Sequence, residues 1–111
     1  MTELENLQTL ARLAATISAR KAAGAETSYT ARLIADPALA ARKLGEEATE
    51  TIIAALVGNK DDLTTEAADV IYHLLALLAA KDIDLDDVLA ELARREGRSG
   101  LDEKAARSEG A

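Results

Sequence analysis

The chain contains no cysteine, tryptophan or phenylalanine, and its only aromatic residues are Tyr29 and Tyr72. Without cysteine there is no disulfide scaffold, no zinc–thiolate site and no thiol nucleophile. Two isolated tyrosines do not make an aromatic platform for stacked bases. Strands favour β-branched and aromatic side chains, so this composition also disfavours a β-sandwich or barrel. Alanine, present 25 times, and leucine, present 17 times, dominate the 111 residues instead. These are the strongest helix formers. The length allows one domain, so the expectation is a single all-α unit.

Positive charge is also scarce. Thirteen Lys and Arg residues are dispersed among twenty Asp and Glu, for a net charge of −7. That balance does not build a nucleic-acid surface. The stretch Val70–Ala80 lacks charge apart from His73, but its 11 residues are too few to span a bilayer. Met1–Glu5 carries no basic lead-in to a secretory signal. The sequence therefore predicts a cytoplasmic protein with neither nucleic-acid nor membrane partners. A core of alanine and leucine buries modest area, and small domains offset such a shortfall by associating, so a homo-oligomer is expected.

Helix signals divide the chain clearly. Thr2 and Glu5 form a capping-box pair, followed by Leu4, Leu7, Leu10, Leu13 and Ile17 at helical spacing. The first helix is predicted over about residues 3–22, with a loop from Gly24 to Ser28. Ser28 caps a short helical turn over Tyr29–Ala35. Asp36-Pro37 is an N-cap with proline at the first helical position, and Gly58-Asn59 ends the helix it starts. Gly45 inside that helix costs about 1 kcal/mol relative to alanine, which suggests a close backbone approach there. A third helix is predicted from near Asp62 to about Lys81, and a fourth from an Asp84 cap to about Glu96. Residues 98–111, with Leu101 their only large apolar residue, read as a disordered tail. The architecture expected is an antiparallel helical bundle of four to five helices, completed by homodimerisation, with residues 1–97 as its domain.

One constellation carries chemistry. Glu47 and Glu50 share a face of the second helix, and Glu66 and Asp69 share a face of the third. Glu50 precedes the turn by about nine residues and Asp69 follows it by about nine, so an antiparallel hairpin sets them level, with Glu47 and Glu66 within roughly a turn. Their surroundings are apolar: Ala48, Ile52, Ile53, Ala67, Val70 and Ile71. Carboxylates gathered in a partly desolvated place repel one another unless a cation neutralises them. An oxygen-only set suits Mg²⁺, with Mn²⁺ as a substitute, and such ions serve phosphoryl chemistry. A solvated glutamate-rich helix face is the bland alternative. A di-iron bundle is disfavoured, because the chain has no Glu-x-x-His pair.

Three runs carry a resemblance: Ser28-Tyr29-Thr30-Ala31-Arg32-Leu33, Arg42-Lys43-Leu44-Gly45-Glu46-Glu47-Ala48-Thr49-Glu50, and Glu66-Ala67-Ala68-Asp69-Val70-Ile71-Tyr72-His73-Leu74-Leu75. With the closing Leu92-Ala93-Arg94-Arg95, they make residues 4–96 resemble phosphoribosyl-ATP pyrophosphohydrolase, of the MazG-like all-α NTP pyrophosphatase superfamily. The carboxylate pattern alone points to the superfamily, and the remaining motifs point to the histidine-pathway member. The resemblance implies a Mg²⁺-dependent homodimer that hydrolyses phosphoribosyl-ATP to phosphoribosyl-AMP and pyrophosphate, the second step of histidine biosynthesis. It implies Glu47, Glu50, Glu66 and Asp69 as metal ligands, with Glu46 a further catalytic residue of the motif. An oriented water then attacks phosphorus at the α–β linkage and pyrophosphate leaves.

Candidate substrate contacts are Lys43, on the face of Glu47; Ser28, Tyr29 and Thr30 in their loop; the flanking Arg20, Lys21 and Arg32; and Arg95. Each has an ordinary structural explanation as well. Lys43 can bridge to Glu47, Ser28 can cap, Tyr29 can pack, and Arg94 and Arg95 sit where cations favour a helix C-terminus. His73 is read as a satisfied core residue before a ligand, and Tyr72 as a packed residue before an adenine stacker. A house-cleaning NTP pyrophosphatase is the nearest alternative function. A non-catalytic helical dimerisation module is the more distant one.

Overall fold

The computed structural model describes residues 2–22, 24 and 28–110, the side chains of residues 109 and 110 excepted. All regular elements among these residues are helical: α1 (Glu3–Ala19), α2 (Tyr29–Ala35), α3 (Pro37–Val57), α4 (Lys60–Ala80), α5 (Leu85–Arg94) and α6 (Gly100–Gly110), with a 3-10 turn Arg20–Ala22 extending α1. Residues 25–27 of the loop expected over Gly24–Ser28 lie outside the described residues.

Local chemistry accounts for most of the boundaries. The Thr2–Glu5 box forms in both directions, with Thr2 Oγ1 accepting from the Glu5 amide at 3.1 Å and Glu5 Oε2 accepting from the Thr2 amide at 3.2 Å. Ser28 Oγ accepts from the Ala31 amide and Asp36 Oδ1 from the Leu39 amide, so α2 and α3 start where predicted. Helix α4 begins two residues before the predicted Asp62. Asn59 is its cap, with Asn59 Oδ1 accepting from the Asp62 amide at 2.9 Å and Asp62 Oδ2 accepting from the Asn59 amide. Asp84 precedes α5 with an extended backbone, but its side chain makes no capping bond.

The core surrounds the C-terminal half of α4. Ile17 of α1, Ile34 of α2 and Leu75 of α4 form one buried cluster, and Leu10, Leu13 and Leu78 pack onto it. Leu33, Ala40 and Ala76 form a second, with Leu39 and Leu77 against it. Tyr72 touches both clusters. Helix α4 lies between these partners because α3 and α4 are joined by only Gly58 and Asn59. A Cβ on Gly58 would stand 2.9 Å from the Ala54 carbonyl oxygen and 3.0 Å from Asp62 Oδ2, so the connection is this tight only with glycine there. Gly45 differs. Nothing lies within 4 Å of a Cβ built on it, so the close approach expected from the sequence is not found within this chain.

By length and composition alone α4 could cross a membrane. It nevertheless carries Glu66 and Asp69 mid-length and packs one face on α1, α2 and α3.

Composition points to an unstructured end, but residues 100–110 form α6. Ser99 Oγ accepts from the Asp102 amide at 3.0 Å and starts the helix. Glu103 then enters a cage of three arginines. Arg94 Nη2 donates to Glu103 Oε1 at 2.6 Å, Arg95 Nε lies 3.9 Å from that oxygen, and Arg98 Nη1 lies 3.8 Å from Oε2. Glu103 is 5% exposed. The hydrogen bond from Arg94 holds its carboxyl below the ordinary range, and the other two guanidinium groups add to this. A carboxyl depressed in the folded state contributes stability above its unfolded pKa and loses it as pH falls through the folded value. Glu103→Ala is expected to undock α6 and speed limited proteolysis around residues 96–100 at neutral pH. The wild-type chain should approach the same cleavage rate only on acidification. Equal rates for both proteins at neutral pH would contradict this.

Candidate active site

The short α3–α4 connection brings Glu47 of α3 opposite Glu66 and Asp69 of α4. One carboxylate oxygen from each lies within 4.8 Å of the other two, and all three residues are half-buried. Glu50, exposed, stands within hydrogen-bonding reach of both Glu47 and Glu66. The four carboxylates therefore occupy one place between the helices, with Glu47, Glu66 and Asp69 as its inner set. Beside Glu50 and Glu66 opens a groove of about 380 Å³ lined by Ile53, Ala54, Val57, Gly58 and Asp62. A larger groove, about 670 Å³, lies between α1 and α5 and is mostly apolar, with Leu7, Leu10 and Leu89 in its walls.

The electrostatics of the inner set are unfavourable by themselves. Burial pushes the Glu47 and Glu66 carboxyls above their ordinary value. The hydrogen bond that each, when protonated, donates to Glu50, and the charges of Glu50 and Asp69, push in the same direction. Glu47 Oε2 and Glu66 Oε2 are buried with no hydrogen-bond partner. Buried acceptors of this kind call for a proton or a cation. An oxygen-only donor set with two free oxygens fits a hard divalent cation, and it does not fit a metal preferring nitrogen or sulfur.

The other candidate residues divide into those close to the carboxylates and those held elsewhere. Glu46, exposed, turns away from the inner set and pairs with Lys43 at 3.2 Å, so Lys43 bridges to Glu46 and not to Glu47. Tyr29 lies at the near end of α2. Burial raises its phenol pKa, with Lys43 acting against that and Tyr72, Glu47 and Glu46 adding to it. The hydroxyl thus stays protonated, and it is 2.9 Å from His73 Nε2. The Thr30 hydroxyl bonds the Tyr72 hydroxyl, and Ser28 caps α2. Lys21 is held at the far end of α4, donating to the Ala79 carbonyl at 3.1 Å and pairing with Asp82. Arg20 is exposed at the C-cap of α1 and Arg32 is exposed on α2, and no carboxylate among the described residues pairs with either. Arg95 faces Glu91 and Glu103, and Arg94 binds the same two. The sequence reading missed the joint role of Tyr72 and His73, which hold Thr30 and Tyr29. Adjacent polar residues one helical turn beyond Asp69 were the available signal.

Residues 10–96 match the family profile of phosphoribosyl-ATP pyrophosphohydrolase. A phosphoribosyl-ATP pyrophosphatase of Caulobacter sp. (strain K31) is 59% identical over 100 residues, 90% of this chain and 94% of that protein. The protein of the same name from Dinoroseobacter shibae is 58% identical over 102 residues, 91% of this chain and 100% of its own. That of Paracoccus denitrificans is 59% identical over 99 residues, 88% and 92% respectively. With the profile match spanning every carboxylate of the site and the relatives matching along nearly their whole length, the chain belongs to the phosphoribosyl-ATP pyrophosphohydrolase family.

Proposed function

We propose that this chain hydrolyses phosphoribosyl-ATP to phosphoribosyl-AMP and pyrophosphate, the second step of histidine biosynthesis, in the cytoplasm. The observation that carries the reading is the convergence of Glu47, Glu66 and Asp69, with two buried oxygens lacking partners, in a chain whose relatives bear that activity in their names. The family match over residues 10–96 lies within the hydrolase domain read over residues 1–97.

In this reading Glu47, Glu50, Glu66 and Asp69 hold Mg²⁺, with Mn²⁺ able to replace it. When bound, the ion neutralises charge on the phosphate oxygens and makes a water more acidic. The rest falls to the chain. Water oxygen bonds to phosphorus at the α–β linkage, the anhydride P–O bond breaks, and pyrophosphate leaves with its electron pair. The proton shed by that water goes to a carboxylate oxygen of the cluster that the ion leaves free. Glu46 and Lys43 sit beside the cluster as an ion pair that a phosphate can enter by displacing Glu46 from Lys43. Tyr29, Thr30 and Arg32 offer two hydroxyls and a guanidinium at its edge, with Ser28 shaping that turn. Arg20, Lys21 and Arg95 are more distant contacts that a bound substrate would need to recruit.

The site also bears on assembly. Ile52, Ile53, Leu56 and Val57 of α3 are 60, 53, 78 and 81% exposed, and Ile71 and Leu74 of α4 are open as well. Contiguous exposed apolar surface of this kind marks an interface. A second copy of the chain against it completes an antiparallel bundle and excludes water from the groove beside Glu50 and Glu66. Ile52→Glu combined with Leu56→Glu is expected to yield a monomer in analytical ultracentrifugation with much reduced activity, and a dimer of unchanged stability would refute the arrangement.

Glu50→Gln and Asp69→Asn should each lower turnover of phosphoribosyl-ATP at saturating Mg²⁺ by at least about 100-fold. Wild-type rates in either variant would overturn the assignment, and a preference for dNTPs over phosphoribosyl-ATP would redirect it. Mg²⁺ at a hundredfold excess over its Kd should stabilise the fold by about 2.7 kcal/mol. Carboxyls with raised pKa make the metal-free protein less stable as pH climbs through the interval between their unfolded and folded values, whereas Mg²⁺ binds their ionised forms. The Mg²⁺-induced rise in Tm should therefore grow as pH climbs above the ordinary carboxyl range. A pH-independent rise would place the ion elsewhere.

A further inference from the structure

His73 is 6% exposed, and no step of the proposed chemistry uses it. Both of its ring nitrogens are nevertheless engaged. Nδ1 lies 2.7 Å from the main-chain carbonyl oxygen of Asp69, which can only accept, so Nδ1 carries the proton. In the neutral ring Nε2 is then the acceptor, and the Tyr29 hydroxyl, 2.9 Å away, donates to it. The next residues in each helix repeat the connection, with the Thr30 hydroxyl bonded to the Tyr72 hydroxyl. Two consecutive residues at the start of α2 are thus stapled to two consecutive residues of α4. The rings lock the arrangement laterally. Tyr72 and His73 meet edge to face at 4.9 Å and 88°, and Tyr29 stacks on Tyr72 at 6.4 Å and 18°.

The placement of this staple decides its meaning. One of its anchors is the backbone of Asp69, a member of the inner carboxylate set, and the other is the segment bearing the hydroxyls of Tyr29 and Thr30. Leucine at position 73 would fill space equally well and would need no partners, whereas buried polar groups cost free energy unless every one is satisfied. A satisfied polar pair fixes direction and distance, which apolar packing does not. We infer that His73 is a positioning residue for the reaction: acting through Tyr29, it holds the Ser28–Thr30 segment at a set distance from the carboxylates so that both engage one substrate. This rests on the proposed carboxylate site and on Tyr29 and Thr30 as substrate contacts.

The experiment is steady-state kinetics on Tyr29→Phe, His73→Leu, the double variant and His73→Gln, each with its Mg²⁺-induced Tm shift. Tyr29→Phe and His73→Leu should each raise KM for phosphoribosyl-ATP about tenfold with kcat changed by no more than about twofold. The double variant should be no worse than Tyr29→Phe alone, because without the Tyr29 hydroxyl His73 has nothing left to hold. His73→Gln, whose Oε1 can take the place of Nε2 as acceptor, should recover most of the lost KM. The Mg²⁺ shift should persist throughout. A wild-type KM in His73→Leu, additive losses in the double variant, or no recovery with glutamine would each overturn the inference. If His73→Leu does not fold, Tyr29→Phe and His73→Gln still test it. Failure of the carboxylate site itself reads differently: Glu50→Gln stays active, whereas failure of this inference alone leaves Glu50→Gln inactive and His73→Leu normal.

Discussion

Repulsion between like charges is the constraint on which this fold turns. Glu47, Glu66 and Asp69 are held together with Glu50 beside them, half out of water, and two of their oxygens have no partner. Among the described residues no basic side chain forms an ion pair with them, and Lys43 is paired with Glu46. The apolar packing of α4 against α1, α2 and α3 has to offset that repulsion, and the two clusters around Ile17, Leu33 and Leu75 are where it does so. The protein spends part of a small core on keeping an unfavourable site assembled, as is usual where function demands local strain.

The local grammar of the sequence was easily read. Thr2, Ser28 and Asp36 mark helix starts through bonds that span three residues, and the carboxylate pairing across the hairpin follows from helical spacing and a short turn. The features that escaped depend on contacts between distant parts of the chain. Composition cannot show that Glu103 is caged by Arg94, Arg95 and Arg98, so residues 100–110 read as a tail although they form a helix. The pairing of Lys43 with Glu46 was also beyond reach, because i,i+3 and i,i+4 partners were both available and the rotamer decides. Gly45 invited a packing explanation that its open surroundings do not supply within one chain.

The aromatic shortage likewise acquires a different sense. Both tyrosines lie together with the only histidine, forming a polar and aromatic knot next to the carboxylates. The remaining helix surfaces are left to alanine and leucine, and much of that leucine and isoleucine is exposed on α3, α4 and α5. Scarce chemistry is concentrated at one place, and abundant apolar surface is left for association.

The hairpin connection has a consequence for how such a chain can change over time. Gly58 and Asn59 supply no carboxylate to the site, yet they set the phase of α4 relative to α3. Inserting or deleting one residue inside α4 ahead of Glu66 would rotate the rest of that helix by about 100°. Glu66 and Asp69 would then swing off the face of Glu47, while every ligand was still present in the sequence. The spacing between the two acidic pairs is thus as much a part of the site as the carboxylates, and length variation is far easier to accommodate beyond residue 96 than between residues 50 and 66.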